Sequence, residues 1–333
     1  MKRLIFNEDH EMFRDSVRKF MQAEVGPHVE RWREAGICDK DAFLKAGEQG
    51  LLCMWADEKY GGLGIEDFRF EQIVIEETMR HGDLALFLTL HSRLVGPYIG
   101  QLGSEALKER LLPKCISGET ILGVAMTESG AGSDLAGMKS RAVQDGDDWI
   151  LNGSKTYISN GINGGAFVVA ARTVPDKPHG IGLFVVEEGM EGFSRGRNLA
   201  KMGLKAQDTA ELFFENVRIP AENVLGDPQK GFYSLMHFLA EERLISASQA
   251  VAHGQIAFDL TMDYILERKA FGKPIGAFQN SRFKMAEMRT ELDVTQTFVD
   301  QCVMMHLKGE LSADLAAEAK YYATEVESRV MDN

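Results

Sequence analysis

The sequence predicts an α+β fold whose chain passes from helices to strands and back to helices. Helical apolar spacing fills about the first 118 residues, short apolar runs bounded by turn residues follow, and apolar stripes at helical spacing return near Lys230. The 333 residues are enough for two or three domains with their own cores. We expect domains at 1–118, 119–226 and 227–333, the last of them incomplete.

The N-terminal helical prediction rests on caps and apolar spacing. Asn7 is a suitable N-cap, acidic residues follow it in the first turn, and Phe13, Val17 and Phe20 mark one helix face. Further helical patterns are predicted at 39–50, 67–81, 83–102 and 104–117.

The central strand prediction rests on short apolar runs between turn signals. The predicted strand segments are Ile121–Met126, Trp149–Leu151, Phe167–Ala171, Ile181–Val186 and Leu212–Phe214. Asp145-Gly146 and Asn152-Gly153 are typical hairpin turns. Pro220 and Gly226-Asp227-Pro228 are expected to close the β domain.

The C-terminal third is expected to form long packed helices. One is predicted from Gly231 towards Glu267 and another from Ala313 to Met331. Between them lies an apolar stripe formed by Met288, Leu292, Thr295, Val299 and Val303. The last helix stops at Asp332-Asn333 without a cap, which favours a chain cut before its natural end.

Composition narrows the functional classes. Acidic residues outnumber basic ones by 50 to 37, the net charge is −13, and no basic stripe favours a nucleic-acid partner. No apolar run has membrane-spanning length, and the N-terminus is unlike a signal or transit peptide, so a cytoplasmic protein is expected. The scattered Cys38, Cys53, Cys115 and Cys302 predict buried thiols and no metal site or disulfide framework.

The stretch from Val124 to Ser133 has the chemistry of a ligand loop. It follows an apolar strand, and Gly130 and Gly132 allow the backbone to approach a ligand closely. Backbone amides and the hydroxyls of Thr127 and Ser133 suit the ring edge and pyrophosphate of a flavin. An ordinary glycine-rich turn fits these ten residues equally well, and they do not match the G-x-G-x-x-G dinucleotide fingerprint.

Several separate stretches resemble signature segments of the acyl-CoA dehydrogenase family, in the same order along the chain. Residues 124–134 read Val-Ala-Met-Thr-Glu-Ser-Gly-Ala-Gly-Ser-Asp, and residues 151–161 read Leu-Asn-Gly-Ser-Lys-Thr-Tyr-Ile-Ser-Asn-Gly. Residues 202–214 and 267–275, the latter followed by Phe278-Gln279, match two further segments. The resemblance spans essentially the whole chain and is greatest to the long-chain type, with the isovaleryl type next.

This resemblance implies a helical N-terminal domain, a central β-barrel-like domain and a C-terminal helical bundle. It also implies FAD and the α,β-dehydrogenation of fatty acyl-CoA to trans-2-enoyl-CoA. In that reaction a carboxylate removes the α-proton and the β-hydride passes to flavin N5. Electron-transferring flavoprotein is the implied electron acceptor, and a homotetramer or homodimer is the implied assembly.

Glu242 is the expected catalytic base. In the long-chain and isovaleryl types the base lies on a long helix directly before an arginine, and Glu242 before Arg243 matches that pair. Other members carry the base in a C-terminal loop, which this chain does not reach. The alternative is a solvated glutamate beside an arginine. Glu241 lies about 100° around the helix and is expected to face elsewhere.

The resemblance also implies residues that contact FAD within one subunit. These cofactor-binding residues are Met126, Thr127, Gly132, Ser133, Tyr157, Ile158 and Ser159. Met126 and Thr127 are expected at the polar edge of the ring, and Ser133 at the pyrophosphate. The resemblance also implies that Tyr157 stacks at the ring and that Ser159 bonds near N5. Alternation places both on one strand face, so both can reach one ligand.

A second group is expected to complete the cofactor site of a neighbouring subunit. Arg268, Phe271 and Gln279 match residues that hold the FAD pyrophosphate and adenosine. An isolated monomer would then lack a complete site.

For the acyl-CoA substrate the resemblance implies a third group. Its members are Ser133, Pro178, His179, Tyr233 and Arg243. His179 is equally well explained as a surface loop histidine. The resemblance implies long- or medium-chain thioesters, with isovaleryl-CoA or another short branched thioester as the alternative. A non-catalytic flavin- or acyl-CoA-binding relative, or an inactive fragment, is the alternative from a different class.

Overall fold

The computed structural model describes residues 3–82 and 84–333. Two compact units make up the chain. We call Gln22–Glu66 with Gly82–Phe238 the β unit, and Met1–Met21 with Asp67–His81 and Leu239–Asn333 the bundle unit. The sequential domain limits expected from the sequence stay a prediction.

The helices form where caps and apolar faces coincide. Their bounds are α1 Glu8–Phe20, α2 Val29–Ala35, α3 Lys40–Glu48, α4 Phe68–Gly82, α5 Gly96–Leu102, α6 Glu105–Ser117, α7 Gly231–Glu267, α8 Gln279–Leu307 and α9 Ala313–Asp332. The Asn7 side chain accepts a hydrogen bond from the His10 amide and so begins α1, which confirms the predicted cap. Ser104 begins α6 in the same way, and Gly118 ends it in the left-handed conformation.

The helix expected at 83–102 is wrong in its first part. Asp83 lies outside the described residues, and Leu84 has a φ of 51°. A left-handed leucine interrupts a helix because its Cβ crowds the following carbonyl. A π-helical segment, Leu90–Val95, then leads into α5. The sequence pattern also does not predict α2, whose Trp32 is fully buried.

The strands of the β unit form one sheet. They are β1 Leu122–Ala125, β2 Arg141–Asp145, β3 Asp148–Ser159, β4 Ala166–Arg172, β5 Ile181–Glu187, β6 Phe193–Arg195, β7 Thr209–Ile219 and β8 Val224–Leu225. The order across the sheet is β6-β7-β3-β2-β4-β5-β8. The strand β1 joins by parallel pairing with β4, from Leu122 opposite Ala166 to Ala125 opposite Val169.

One predicted hairpin turn is confirmed and the other is wrong. Asp145-Gly146 joins β2 to β3, and Gly146 has a φ of 66°. Asn152-Gly153 lies instead inside β3, at a register shift in its pairing with β7. Gly153 has a φ of 144°, and an added Cβ would lie 2.3 Å from Ser140 Oγ. Glycine is therefore required here by a bulge and a close backbone approach.

The sheet is buried on both faces at β4. Ala166, Val168 and Ala170 belong to one apolar cluster, which also contains residues of α5 and α6. Phe167 and Val169 belong to a second cluster formed with β3, β5 and β7. Burial on both sides explains why β4 is an unbroken apolar run. All four cysteines are free and buried, as predicted.

The bundle unit is assembled from three segments of the chain. The predicted α8 stripe from Met288 to Val303 is buried, and Met288 and Leu292 pack with Val326 of α9. Arg3 donates to Asp300 at 2.6 and 2.8 Å, which joins the first segment to the last. The helix α7 has the bounds expected from the sequence. None of the described helices is both long and apolar enough to cross a membrane.

The segment after α7 adds a small hairpin to the bundle unit. Its two-residue strands are β9 Lys269–Ala270 and β10 Lys273–Pro274, paired antiparallel.

Candidate active site

The glycine-rich loop is held against β3 by main-chain contacts. Beyond β1, the Thr127 carbonyl accepts a hydrogen bond from the Thr156 amide at 2.9 Å. The amide and carbonyl of Glu128 then pair with those of Ala131 at 2.9 and 3.1 Å. The predicted sharp turn is thus present, and it places the Met126–Thr127 segment beside the strand that carries Tyr157.

A buried ion pair lies beneath this loop. Lys155 Nζ donates to Glu128 Oε1 at 2.8 Å and to the Met126 carbonyl at 3.0 Å. Glu128 also accepts from the amides of Lys139 and Ser140. Burial acts to raise the pKa of Glu128, but the Lys155 ammonium and the Lys139 amide outweigh it and lower that pKa. Burial lowers the pKa of Lys155.

The glycines of the loop are exposed and lie beside open space, which we call the cradle. A Cβ added to Gly130 or Gly132 meets no described atom within 4 Å, and neither residue has a positive φ. Packing among the described residues therefore does not require glycine at either position. Ser133 is exposed at the end of this turn. Small residues beside free space suit the close approach of a flat or charged ligand.

Tyr157 is presented to solvent by a bulge in β3. The β3–β7 register shifts between Lys155 and Ile158, and Tyr157 has a φ of 59°. The Tyr157 residue is 70% exposed, whereas Ile158 is 2% exposed and Ser159 is partly exposed. Any contact of Ile158 with a cofactor would therefore involve its backbone. A left-handed tyrosine with an exposed ring is strained, and such strain gathers at ligand sites.

His179 and Tyr233 are brought together in the β unit. The loop between β4 and β5 exposes Pro178 and His179. The His179 ring stacks on Phe232 of α7 with centroids 4.2 Å apart, and it meets the Tyr233 ring edge-on at 6.0 Å. The sequence analysis did not identify Phe232. Its signal was the aromatic pair directly after Gly231 at the start of the long helix.

Glu242 lies on α7 within the bundle unit and is partly exposed. Oε2 of its neighbour Glu241 lies 2.8 Å from His306 Nε2, so Glu241 faces α8. Arg243 Nη1 lies 3.5 Å from the Ala313 carbonyl, at the far limit of a hydrogen bond. The expectation that Glu241 and Glu242 face different directions stays a prediction.

The remaining predicted cofactor residues surround the β9–β10 hairpin. Arg268 precedes β9, Phe271 occupies the turn and Gln279 begins α8, and all three are exposed. Phe271 is 96% exposed with a φ of 51°, and its ring meets Phe278 edge-on at 6.2 Å. An aromatic ring held in solvent on a strained turn suits contact with another molecule.

Lys155 is a residue that the sequence analysis did not single out. It is buried on β3 together with Trp149, Leu151 and Ile158, and a buried lysine implies a buried partner. Among the described residues, no group of three His, Cys, Asp or Glu side chains is arranged to hold a metal ion.

The chain matches three sequence profiles in order. They are the acyl-CoA dehydrogenase N-terminal domain over residues 7–119, the middle domain over 123–217 and the C-terminal domain over 229–333.

Curated relatives agree with these profiles. The chain is 46% identical to the long-chain specific acyl-CoA dehydrogenase of Sus scrofa mitochondria, over 98% of this chain and 77% of that protein. It is 39% identical to the mitochondrial isovaleryl-CoA dehydrogenase of Arabidopsis thaliana, over 89% of this chain and 73% of that protein.

Solved structures share the fold. An acyl-CoA dehydrogenase from Geobacillus kaustophilus superposes with a TM-score of 0.95 at 46% identity, covering 98% of this chain and 86% of that one. A glutaryl-CoA dehydrogenase from Mycobacterium smegmatis in complex with FADH2 has a TM-score of 0.90 at 27% identity, covering 98% and 83%. The helical, β and helical order, the glycine-rich loop and these matches agree, and the chain belongs to the acyl-CoA dehydrogenase family of oxidoreductases.

Proposed function

We propose that this protein catalyses the FAD-dependent α,β-dehydrogenation of fatty acyl-CoA to trans-2-enoyl-CoA, with Glu242 as the base. The observation that carries the cofactor assignment is the cradle, the open space at Gly130 and Gly132. The same loop is hydrogen-bonded through the Thr127 carbonyl to β3, the strand that exposes Tyr157. A related glutaryl-CoA dehydrogenase is described in complex with FADH2, which supports the same assignment.

The chain's own residues would hold the cofactor and move the proton. Amides of the glycine-rich loop and the Ser133 hydroxyl suit the pyrophosphate, while Met126, Thr127 and Ser159 suit the polar edge of the ring. Tyr157 offers a stacking surface. When bound, FAD supplies a hydride acceptor. Glu242 would take the α-proton, a role that general-base catalysis commonly makes worth about 10²–10⁴-fold in rate.

Long- or medium-chain thioesters are the proposed substrates. The support is the 46% identity to a long-chain dehydrogenase, against 39% to an isovaleryl-CoA dehydrogenase. Isovaleryl-CoA or another short branched thioester stays the alternative. The other alternative is a relative that binds flavin or acyl-CoA without turnover.

We further propose electron-transferring flavoprotein as the acceptor and a homotetramer or homodimer as the assembly. The exposed Arg268, Phe271 and Gln279 around one hairpin would contribute to the cofactor site of a neighbouring copy. The cytoplasmic location stays a prediction from the sequence.

The visible absorption of the purified protein tests this proposal. Anaerobic addition of a long-chain acyl-CoA should bleach a flavin band, and Glu242→Gln should slow the bleaching by at least about 10²-fold. Glu241→Gln is the matched control because Glu241 is the adjacent carboxylate but pairs with His306. It should retain most of the rate. Equal loss in both variants would contradict Glu242 as base, and a flavin that no acyl-CoA reduces would contradict the activity.

A further inference from the structure

The Arg172 guanidinium fastens two separate loops of the β unit. Its Nη2 donates to the Ala136 carbonyl at 2.5 Å and its Nε to the Met138 carbonyl at 3.3 Å. Its Nη1 donates to the Lys177 carbonyl at 2.6 Å. The first two acceptors belong to the turn that follows Ser133, and the third belongs to the loop that carries His179. A planar fork with several fixed donors is suited to joining acceptors in this way.

The backbone of Arg172 reinforces the same junction. Arg172 ends β4 and donates its amide to the Ser140 carbonyl at 2.8 Å. The two ends of the loop between β4 and β5 are joined, because the Thr173 amide donates to the Gly180 carbonyl at 2.9 Å. Thr173 Oγ1 also donates to the Pro228 carbonyl at 2.7 Å, close before α7 in the chain. The loop is therefore fixed at its base, and Arg172 fixes its far side at Lys177.

The charge of Arg172 is not neutralised by a salt bridge within the described ranges 3–82 and 84–333. Its three described side-chain acceptors are backbone carbonyls. Each joined segment carries one exposed lysine, Lys139 or Lys177, and one exposed aspartate, Asp134 or Asp176. The lysines and aspartates balance formally, so the junction combines rigid geometry with the positive charge of Arg172, which suits a phosphate-bearing ligand.

We propose that Arg172 is a positioning residue that holds the His179 loop and the turn after Ser133 in register for the nucleotide end of the CoA thioester. The inference rests on the proposed function and adds a residue to which the family resemblance gives no role. Arg172 itself would not contact the reacting carbons. Substitution of Arg172 should weaken binding of the nucleotide end of CoA and leave the rate of the chemical step nearly unchanged.

Two substrates that share an acyl group separate positioning from general damage. Acyl-CoA carries the nucleotide, whereas the matching acyl-pantetheine does not. For Arg172→Lys, which keeps the charge but loses the fork, we expect the KM for acyl-CoA to rise about tenfold with kcat within twofold. The KM for acyl-pantetheine should change less than twofold. An unchanged KM for acyl-CoA, or equal rises for both substrates, would overturn the proposal.

Arg195→Lys is the matched control. Arg195 also donates to a backbone carbonyl of the β unit, that of Gly164, but pairs with Glu188 away from the two loops. It should leave the ratio of the two KM values unchanged. His179→Ala, which removes the stack on Phe232 without altering Arg172, should reproduce the selective rise for acyl-CoA. If it raises the KM of both substrates equally, the loop does not serve the nucleotide end.

A measurement without turnover tests the junction itself. Hydrogen exchange of the holoprotein should quicken in Arg172→Lys at 135–140 and 173–181 together, and in neither segment in Arg195→Lys. Unchanged hydrogen exchange in both segments of Arg172→Lys would refute the proposal that Arg172 joins the two loops, whatever the enzyme's activity. A wild-type protein whose flavin no acyl-CoA reduces would instead refute the proposed function, and the exchange result would still decide whether Arg172 joins the loops.

Discussion

Lys155 Nζ lies 2.8 Å from Glu128 Oε1, and the two side chains are 0% and 8% exposed. The pair joins β3 to the first residue of the glycine-rich turn. Since Glu128 also accepts amide hydrogen bonds from Lys139 and Ser140, one carboxylate fixes three segments around the candidate cofactor site. The position of the loop therefore depends on a buried charge pair as well as on apolar packing.

Removing one partner of this pair should be costly. Lys155→Met would leave the Glu128 carboxylate buried without its cation, and such changes cost about 3–5 kcal/mol. The double variant with Glu128→Gln should lose less than the sum of the single losses, with a coupling of about 1–3 kcal/mol. Urea unfolding of the four proteins measures this cycle. Additive losses would show that the two charges do not stabilise each other.

The same pair predicts an acid dependence. The folded pKa of Glu128 is lower than its ordinary 4.5, so its stabilisation is present above that value and is lost as the pH falls through the folded pKa. Between neutral pH and pH values below the ordinary pKa, Glu128→Gln should lose less stability than the wild type. Parallel curves for the two proteins would contradict the depressed pKa.

Alanine substitution should have different effects at Gly132 and at Gly153 of the β unit. Gly132→Ala points a methyl into open space, so we expect the free energy of unfolding to change by less than about 1 kcal/mol while the Kd for FAD rises. Gly153→Ala must displace Ser140 Oγ from 2.3 Å at an unfavourable φ, and should cost at least about 1–3 kcal/mol. Thermal unfolding and flavin titration of the apoproteins measure both. Undiminished FAD affinity in Gly132→Ala would exclude that position from the cradle.

We expect Tyr157 to lower the stability of the folded protein and to strengthen FAD binding. Tyr157→Gly relieves a left-handed φ of 59°, which costs a non-glycine residue about 1–2 kcal/mol, and it removes a ring that is mostly in solvent. The apoprotein should therefore be as stable as the wild type or more so, with FAD bound at least tenfold more weakly. Tyr157→Phe keeps the stacking surface and should bind FAD normally. Normal affinity in the glycine variant would exclude stacking by Tyr157.

His91 should make the protein sensitive to mild acid. Its Nδ1 accepts from the Leu122 amide at 3.0 Å and its Nε2 donates to the Cys115 carbonyl at 2.9 Å, so the buried ring is neutral. Burial lowers its pKa from 6.5 to about 4. The unfolded chain binds a proton first as the pH falls, and between these two pKa values stability should drop by about 3 kcal/mol.

Comparison with His91→Gln isolates that contribution. Glutamine keeps one donor and one acceptor but does not titrate. The variant is expected to be less stable at neutral pH and to show a shallower loss of stability between pH 7 and 4. Equal slopes would mean that His91 titrates normally in the folded protein.

Local chemistry predicted much of the fold. Asn7 determines where α1 begins, and the apolar spacing from Met288 to Val303 marks the buried face of α8. The hairpin turn predicted at Asn152-Gly153 was wrong because the same dipeptide is typical of both a hairpin turn and a β-bulge. Pairing with β7, whose Phe214 lies opposite Gly153, selected the bulge. No local pattern contains that information.

The candidate site, too, was predicted from the sequence only in part. The motif resemblance identified Tyr157, but only the structure shows the bulge that turns it outward. Arg172 has no local signal, because its three acceptors lie on loops that meet only after β2, β3 and β4 have paired. The roles of the motif residues themselves stay predictions until the variants are measured.

The three-segment bundle unit has a consequence for biosynthesis. Arg3 bonds to Asp300, 297 residues further along the chain. At about 5–20 residues per second, the ribosome takes roughly 15–60 s to synthesise that interval. Between the end of α4 at Gly82 and the start of α7 at Gly231, α1 and α4 are present without the long helices of their own unit. We therefore expect the bundle unit to fold only after Asp300 and the helix that carries it have been synthesised.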